Sequence, residues 1–212
     1  MPTQTAQRVY AGMTATQRRA ERRSRLLDAA IDVLASQGWE RATVTAICER
    51  AGLIPRYFYE SFRDREALLI SVFDSIIDEV SEEIGKRATD DRSVEGLIRA
   101  TIDAWLAVAS RDPRKGRVAF VEALGSEALM QRRLDATHAY AELLLDRSIS
   151  TPHRAGHSRA AVQCASLITA GGLIETMIEW MRGNVDLSAD EIAENYTRLC
   201  TAAFRTAGGR GN

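Results

Sequence analysis

The sequence predicts an all-α protein, and three observations lead to that prediction. Apolar residues recur at spacings of three and four, and no segment alternates apolar and polar residues as a half-buried strand does. Two segments open with capping-box sequences, Thr14-Ala15-Thr16-Gln17 and Ser188-Ala189-Asp190-Glu191. Glycine or proline closes several others, at Gly38, Gly52 and Asp112-Pro113. We therefore expect a chain of helices without a sheet.

The starts of the first three predicted helices are well defined because each has a recognisable start signal. Helix one runs from its capping box to Gly38, with Leu27, Ile31 and Leu34 on one face. Helix two starts at the N-cap residue Thr43 and ends at Gly52, where glycine takes a left-handed conformation without a Cβ clash. Helix three restarts at Pro55, whose fixed φ suits a first helical position, and places Phe58 and Phe62 on its apolar face.

The later helices follow the same logic. Asp64 caps a fourth helix with an apolar stripe from Leu68 to Val80, and Ser93 starts a fifth that Asp112-Pro113 ends. Further helices are predicted around 118–124, over 127–147, over 160–181 and from Ser188 onward, with a loop over 148–157.

Residues 41–69, RATVTAICERAGLIPRYFYESFRDREALL, combine two short helices joined at one glycine with a Tyr- and Arg-bearing segment. This pattern is typical of a helix-turn-helix that reads DNA. It resembles the TetR family of bacterial transcriptional regulators through Ala51-Gly52, the Tyr59-to-Phe62 motif and the Asp64-Arg65-Glu66 start of the fourth helix. The resemblance covers about residues 24–72. Two positions depart from the family pattern. Ile54 stands where the family commonly has Ser or Thr, and Arg56 stands where it frequently has Gly.

The resemblance implies three regions: a basic flexible arm over residues 1–13, a helix-turn-helix DNA-binding domain over 14–65, and a helical effector-binding and dimerisation domain over 66–212. The charge distribution agrees, because residues 1–65 carry +4 and the remainder −5. Arginines cluster at the start of helix one, where they would attract phosphates. The candidate DNA-binding residues are Arg25, Thr43, Thr45, Arg56, Tyr57, Tyr59 and Arg65.

The last two helices predict a homodimer. From Ala160 to Met181 only Glu175 and Glu179 are charged, so this helix must bury two faces. In the TetR family the last two helices of each subunit pair into a four-helix bundle. The candidate interface residues are Ala170, Gly171, Ile174, Ile178, Tyr196 and Leu199.

The central helices are where the resemblance implies a small hydrophobic or amphipathic effector. The candidate lining residues combine apolar surface with a polar or polarisable atom: Trp105, Phe120, Met130, His138, Tyr140 and Met177. Taken alone, an aromatic residue or Met at helical spacing is more often an ordinary core residue. We therefore expect a repressor released from a palindromic operator by such an effector, and keep as the alternative a DNA-bound adaptor that acts through a protein partner.

Several other classes are disfavoured. Neither a paired Glu-x-x-His sequence nor His-Glu-x-x-His occurs, so we predict no catalytic residues, metal or cofactor. The three cysteines are widely spaced and odd in number, as expected for thiols in a reducing compartment. The amino-terminal residues lack an apolar signal core, and the uncharged run 161–174 is too short to span a bilayer. We expect a cytoplasmic protein that does not bind membranes.

Overall fold

The computed structural model describes residues 14–87, 91–150 and 158–207, and these residues confirm the all-α prediction. The chain divides into two compact units, an N-terminal unit up to Val72 and a C-terminal unit from Phe73. The sequence places the boundary at 65/66 instead, because it assigns the whole fourth helix to the second domain. The predicted arm over residues 1–13 lies outside the described residues.

The N-terminal unit contains α1 (Ala15–Gln37), α2 (Val44–Ala51), α3 (Pro55–Tyr59) and the first turns of α4 (Arg65–Arg87). The capping box at Thr14 and the caps at Thr43 and Asp64 form as predicted. Ile54 gives α3 no side-chain cap, and Pro55 occupies the first helical position, where no N–H needs a partner.

The turn between α2 and α3 requires glycine. Gly52 has φ 62°, in the left-handed region, and a Cβ at this position would approach the Arg25 guanidinium to 3.2 Å. Phe58 is completely buried, as are Leu26, Leu34, Ile47 and Leu68. Burial of this aromatic side chain fixes α3 in the unit by the face opposite Arg56 and Tyr59.

The C-terminal unit contains the rest of α4 and five further helices among its described residues. These are α5 (Val94–Arg111), α6 (Pro113–Phe120), α7 (Glu127–Ile149), α8 (Arg159–Met181) and α9 (Ala189–Thr206), with a 3₁₀ turn at Glu122–Gly125. Helix α7 packs on α8, and α5 packs on α9. The capping box at Ser188 forms as predicted.

The helix predicted at 118–124 is wrong in its bounds. Asp112 accepts a hydrogen bond from the Arg114 backbone N–H, and Pro113 takes the first position of α6, so the residues that end α5 also start α6. Helix α6 ends at Phe120, and the 3₁₀ turn follows. Of the predicted loop over 148–157, residues 148 and 149 belong to α7, and residues 151–157 lie outside the described part of the chain.

Helix α8 has the length and composition of a membrane span, with a mean hydropathy of 1.4 over its most apolar window. On the sequence alone, the uncharged run 161–174 is too short to span a bilayer. The helix that contains this run is longer, at 23 residues. Within that window 44% of the residues are buried inside the chain.

A buried carboxylate connects α4 with α5. Glu83 pairs with Arg87 and with Lys86 (3.1 Å) on its own helix, and with Arg111 Nη1 (3.2 Å) on α5. The hydrogen bond from Arg87, followed by those from Lys86 and Arg111, lowers the pKa of Glu83 to about 2.

This pairing predicts a pH-dependent contribution to stability. Because the folded pKa lies below the unfolded value, the contribution is present above about pH 4.3 and is lost as the pH falls toward 2. We expect Glu83→Gln to unfold at lower urea concentration than the wild type at pH 7, and the difference to vanish near pH 2. Glu82→Gln, at the exposed neighbouring position, is the control. A difference that stays constant over this pH range would contradict the assignment.

Candidate DNA-binding surface and ligand cavity

The exposed face of α2 and α3 carries four of the seven predicted DNA-binding residues. Thr43, Thr45, Arg56 and Tyr59 are exposed, and Tyr59 is 59% exposed despite being aromatic. The Arg56 guanidinium is held only loosely, with Nε 3.5 Å from Glu60 Oε1. Arg56 and Tyr59 supply guanidinium and hydroxyl donors on α3, the helix that a helix-turn-helix inserts into the major groove, and Thr43 and Thr45 supply hydroxyls at the start of α2.

Two of the predicted residues have structural partners inside the unit. The Thr43 hydroxyl accepts the Ala46 backbone N–H at 3.2 Å and so caps α2. Arg25 Nη2 donates to the Ala51 carbonyl at 2.7 Å, at the C-terminal end of α2, where unpaired carbonyls favour a cation. Arg25 therefore fixes the turn that precedes α3.

Arginines that the sequence assigned only to general phosphate attraction hold α3 directly. Arg19 donates to the Glu60 carbonyl, and Arg22 Nη2 lies 3.3 Å from the Glu60 carboxylate. The Arg22 guanidinium also stacks over the Tyr57 ring, 4.4 Å from its centroid. We call Arg19, Arg22, Tyr57 and Glu60 the arginine cradle. It explains why Tyr57 is half-buried rather than free to contact DNA.

Arg65, the remaining candidate, stacks over the Trp39 ring at 4.4 Å. Its side chain is half-buried, so its direction is set before any phosphate approaches.

The C-terminal unit encloses a cavity of about 260 Å³. Trp105 and Phe120 form one wall, with ring centroids 4.6 Å apart, and Tyr140 on α7 forms another. The lining is mostly apolar, and its polar members are Ser81, Thr101, Arg133, Thr137 and Tyr140. A mainly apolar cavity with few polar groups is the usual form of a small-molecule site.

Three predicted effector residues do not line this cavity. Met130 and His138 are exposed on α7, and Met177 is fully buried elsewhere in the core. Helix α7 directs Arg133, Thr137 and Tyr140 inward at spacings of four and three, so His138, one residue after Thr137, points away. Residue type favours all three in the sequence, but helical phase excludes only His138. Met130 and Met177 share a helix face with lining residues and lie outside the lining itself.

The family profile described as "Bacterial regulatory proteins, tetR family" matches residues 26–72, which include α2, α3 and the arginine cradle's Tyr57 and Glu60. Over these residues the chain is similar to the TetR family.

Two relatives of this chain are regulators. The HTH-type transcriptional regulator BetI of Rhizobium meliloti (strain 1021) is 31% identical over 111 residues, which cover 46% of this chain and 55% of BetI. The fatty acid metabolism regulator protein of Bacillus subtilis (strain 168) is 32% identical over 68 residues, 30% of this chain and 35% of that protein. The chain thus spans about half the length of one relative and about a third of the other.

The fold is also that of solved TetR-family structures. The transcriptional regulator FadR from Bacillus subtilis, solved in complex with stearoyl-CoA, superimposes with a TM-score of 0.69 at 20% identity, over 85% of this chain and 98% of FadR. These relatives are regulators and not enzymes. Within the described ranges no group of three or more His, Cys, Asp or Glu side chains is arranged to hold a metal ion.

The residues predicted at the dimer interface separate into two sets in the structure. Ala170, Ile178 and Tyr196 are buried in their own unit, and half-buried Ile174 lines the cavity with Ala170. The Tyr196 hydroxyl donates to the Thr169 carbonyl at 2.6 Å, which joins α9 to α8. Gly171 and Leu199 remain accessible, and Leu199 is 65% exposed.

The sequence missed the most exposed apolar side chains of α8. Leu167 and Ile168 are 47% and 61% exposed, and with Cys164 and Gly171 they form a stripe at spacings of three, one and three. Helix α8 is apolar all round, so hydrophobic periodicity could not distinguish its inner face from its outer face. We call Leu167, Ile168, Gly171 and Leu199 the outer apolar face.

Proposed function

We propose that the protein is a dimeric transcriptional repressor that binds a palindromic DNA operator and is released by a small amphipathic effector. The observation that carries the proposal is the exposed donor-bearing face of α3, anchored from behind by Phe58 and laterally by the arginine cradle. We call α3 the reader helix, because it is the helix expected to contact base edges. Its anchoring keeps the base-contacting side chains in a fixed orientation, as recognition of a DNA sequence requires.

The outer apolar face supports dimerisation. Leu167, Ile168 and Leu199 leave large apolar areas in contact with water, which is unfavourable by about 25 cal/mol per Å² of exposed surface. Pairing α8 and α9 with the same helices of a second copy would cover them, and Gly171 would let the helices approach closely. A dimer also supplies the two reader helices that a palindrome needs.

The cavity supports a small-molecule effector. Its Trp105, Phe120 and Tyr140 walls suit an apolar ligand body, and its polar residues would orient a head group. The stearoyl-CoA in the FadR complex makes acyl compounds the first ligand class to test on this chain. We further propose a cytoplasmic location, where operator DNA and acyl metabolites are both accessible.

A duplex selected by the protein from a random pool tests the DNA-binding proposal. Arg56→Ala should weaken binding by about 1–3 kcal/mol and relax preference at one base pair, because a forked guanidinium contact to guanine is lost. Arg65→Ala should weaken binding to all DNA sequences alike. It should also reduce the slope of log affinity against log salt concentration by about one unit per lost phosphate contact.

Competition titrations with point-mutated duplexes at several salt concentrations separate these two effects. If both variants lose sequence preference equally, the division between base and phosphate contacts is contradicted. If neither protein nor variants select any duplex, DNA binding itself fails. Operator binding that no amphipathic ligand weakens would favour the adaptor alternative.

A further inference from the structure

Arg133 is an unusual member of the cavity lining. Its Nη1 donates to the Phe120 carbonyl at 3.3 Å, while its Nε is buried and has no hydrogen-bond partner in the described part of the chain. The neighbouring lining residues on α7 are Ala136, Thr137 and Ala139. A cationic donor group thus faces a mainly apolar space with part of its hydrogen-bonding capacity unused.

Such an arrangement is unfavourable unless another group satisfies it. The buried Nε of this half-buried side chain has lost its hydration, and the bond from Nη1 to a neutral carbonyl does not replace it. Arginine offers donors in a planar fork that matches two oxygens of one anion. Its free Nε is one of the donors that such a fork uses.

We propose that the cavity binds a ligand made of an anionic group and an apolar chain, with the anionic group on Arg133. The inference rests on the proposed effector function and names the ligand's chemical class. The chain would lie along α7 past Thr137 toward Tyr140, between the walls that Trp105 and Phe120 form.

The opposite end of this path has a different polarity. Tyr140 is seven residues after Arg133, which corresponds to about 10 Å along a helix axis. Its hydroxyl is buried and, although Thr101 and Tyr196 lie nearby, neither reaches hydrogen-bonding geometry. Burial raises the pKa of Tyr140, so this group stays neutral. Of the two ends, only the Arg133 end offers a positive charge to an anion.

Calorimetric titration with decanoate and 1-decanol tests the inference, because the two probes share a chain and differ in charge. Wild-type protein should bind decanoate at least tenfold more tightly, about 1.4 kcal/mol. Arg133→Met should lose this preference and bind 1-decanol as the wild type does, which shows that the cavity is intact. Arg133→Lys should retain part of the preference.

Arg132→Met is the matched control, because Arg132 pairs with Asp74 at 2.7 Å and does not line the cavity.

Decanoyl-CoA distinguishes two sources of the anion. Tighter binding of decanoyl-CoA that still depends on Arg133 assigns the site to a phosphate-bearing conjugate, and tighter binding of decanoate assigns it to a free carboxylate.

The outcomes separate this inference from the proposed function. Equal affinity for decanoate and 1-decanol, an unchanged preference in Arg133→Met, or no binding of any probe would overturn the inference. Arg133-dependent binding that leaves operator affinity unchanged would support the inference and contradict effector-driven release. Release of the operator by neutral probes alone would support effector-driven release and contradict the inference.

Discussion

Ile168→Glu is expected to convert the protein into a monomer and to weaken binding to a palindromic operator by about a hundredfold or more. The side chain belongs to the outer apolar face and is 61% exposed, so a carboxylate there is tolerated by the monomer. In the proposed dimer it would be buried against apolar side chains without a partner, which strongly disfavours association. Two unlinked reader helices then lose the combined affinity of two half-sites about 34–36 Å apart.

Analytical ultracentrifugation beside an operator titration measures both effects. Leu134→Glu is the control, because Leu134 is a comparably exposed leucine on α7 and lies outside the outer apolar face. It should leave the sedimentation coefficient and operator affinity unchanged. An Ile168→Glu protein that remains dimeric at micromolar concentration would exclude this face as the interface.

Phe58→Ala is expected to destabilise the N-terminal unit by about 3–5 kcal/mol, the usual cost of removing a fully buried phenylalanine. The ring packs edge-on against Tyr59 and tilted against Phe62, with centroids 5.2 and 5.7 Å away. Its loss leaves a cavity beneath α3. Because small domains are stable by about 5–15 kcal/mol in total, operator binding should fall with the folded fraction.

Urea unfolding followed by circular dichroism measures the loss of stability, and Tyr59→Ala serves as the matched control. Tyr59 is exposed and adjacent, so its removal should change stability by less than about 1 kcal/mol while still weakening DNA binding. Equal unfolding midpoints for Phe58→Ala and Tyr59→Ala would show that α3 is not anchored by its apolar face.

Local signals account for what the sequence predicts well. The caps at Thr14, Thr43 and Ser188 depend on residues within three positions, and each forms. The αL turn at Gly52 is likewise a property of one residue. The same locality misled the reading of Pro113, because proline both ends one helix and starts the next.

What the sequence does not predict depends on contacts between distant residues. Arg22 and Glu60 are 38 positions apart, and nothing near either one indicates their pairing. The sequence also does not predict which apolar side chains of a helix are buried. On α9, Tyr196 and Leu199 belong to the same apolar pattern, yet Tyr196 is buried and Leu199 is exposed. Arg133 was likewise overlooked, since an arginine on a polar stretch of α7 usually faces solvent.

The arginine cradle has a consequence for redesign. Regulators with altered specificity are made by transplanting a reader helix from one scaffold into another, which treats α3 as a self-contained module. Here the backbone carbonyl and the carboxylate of Glu60 are both held by α1, and Tyr57 is covered by Arg22. A transplanted helix that lacks an acid at 60 or an aromatic ring at 57 would leave Arg22 without that partner, whereas Arg19 would keep the backbone carbonyl of residue 60. The smallest exchangeable module is therefore α3 extended to residue 60, together with residue 22 of α1.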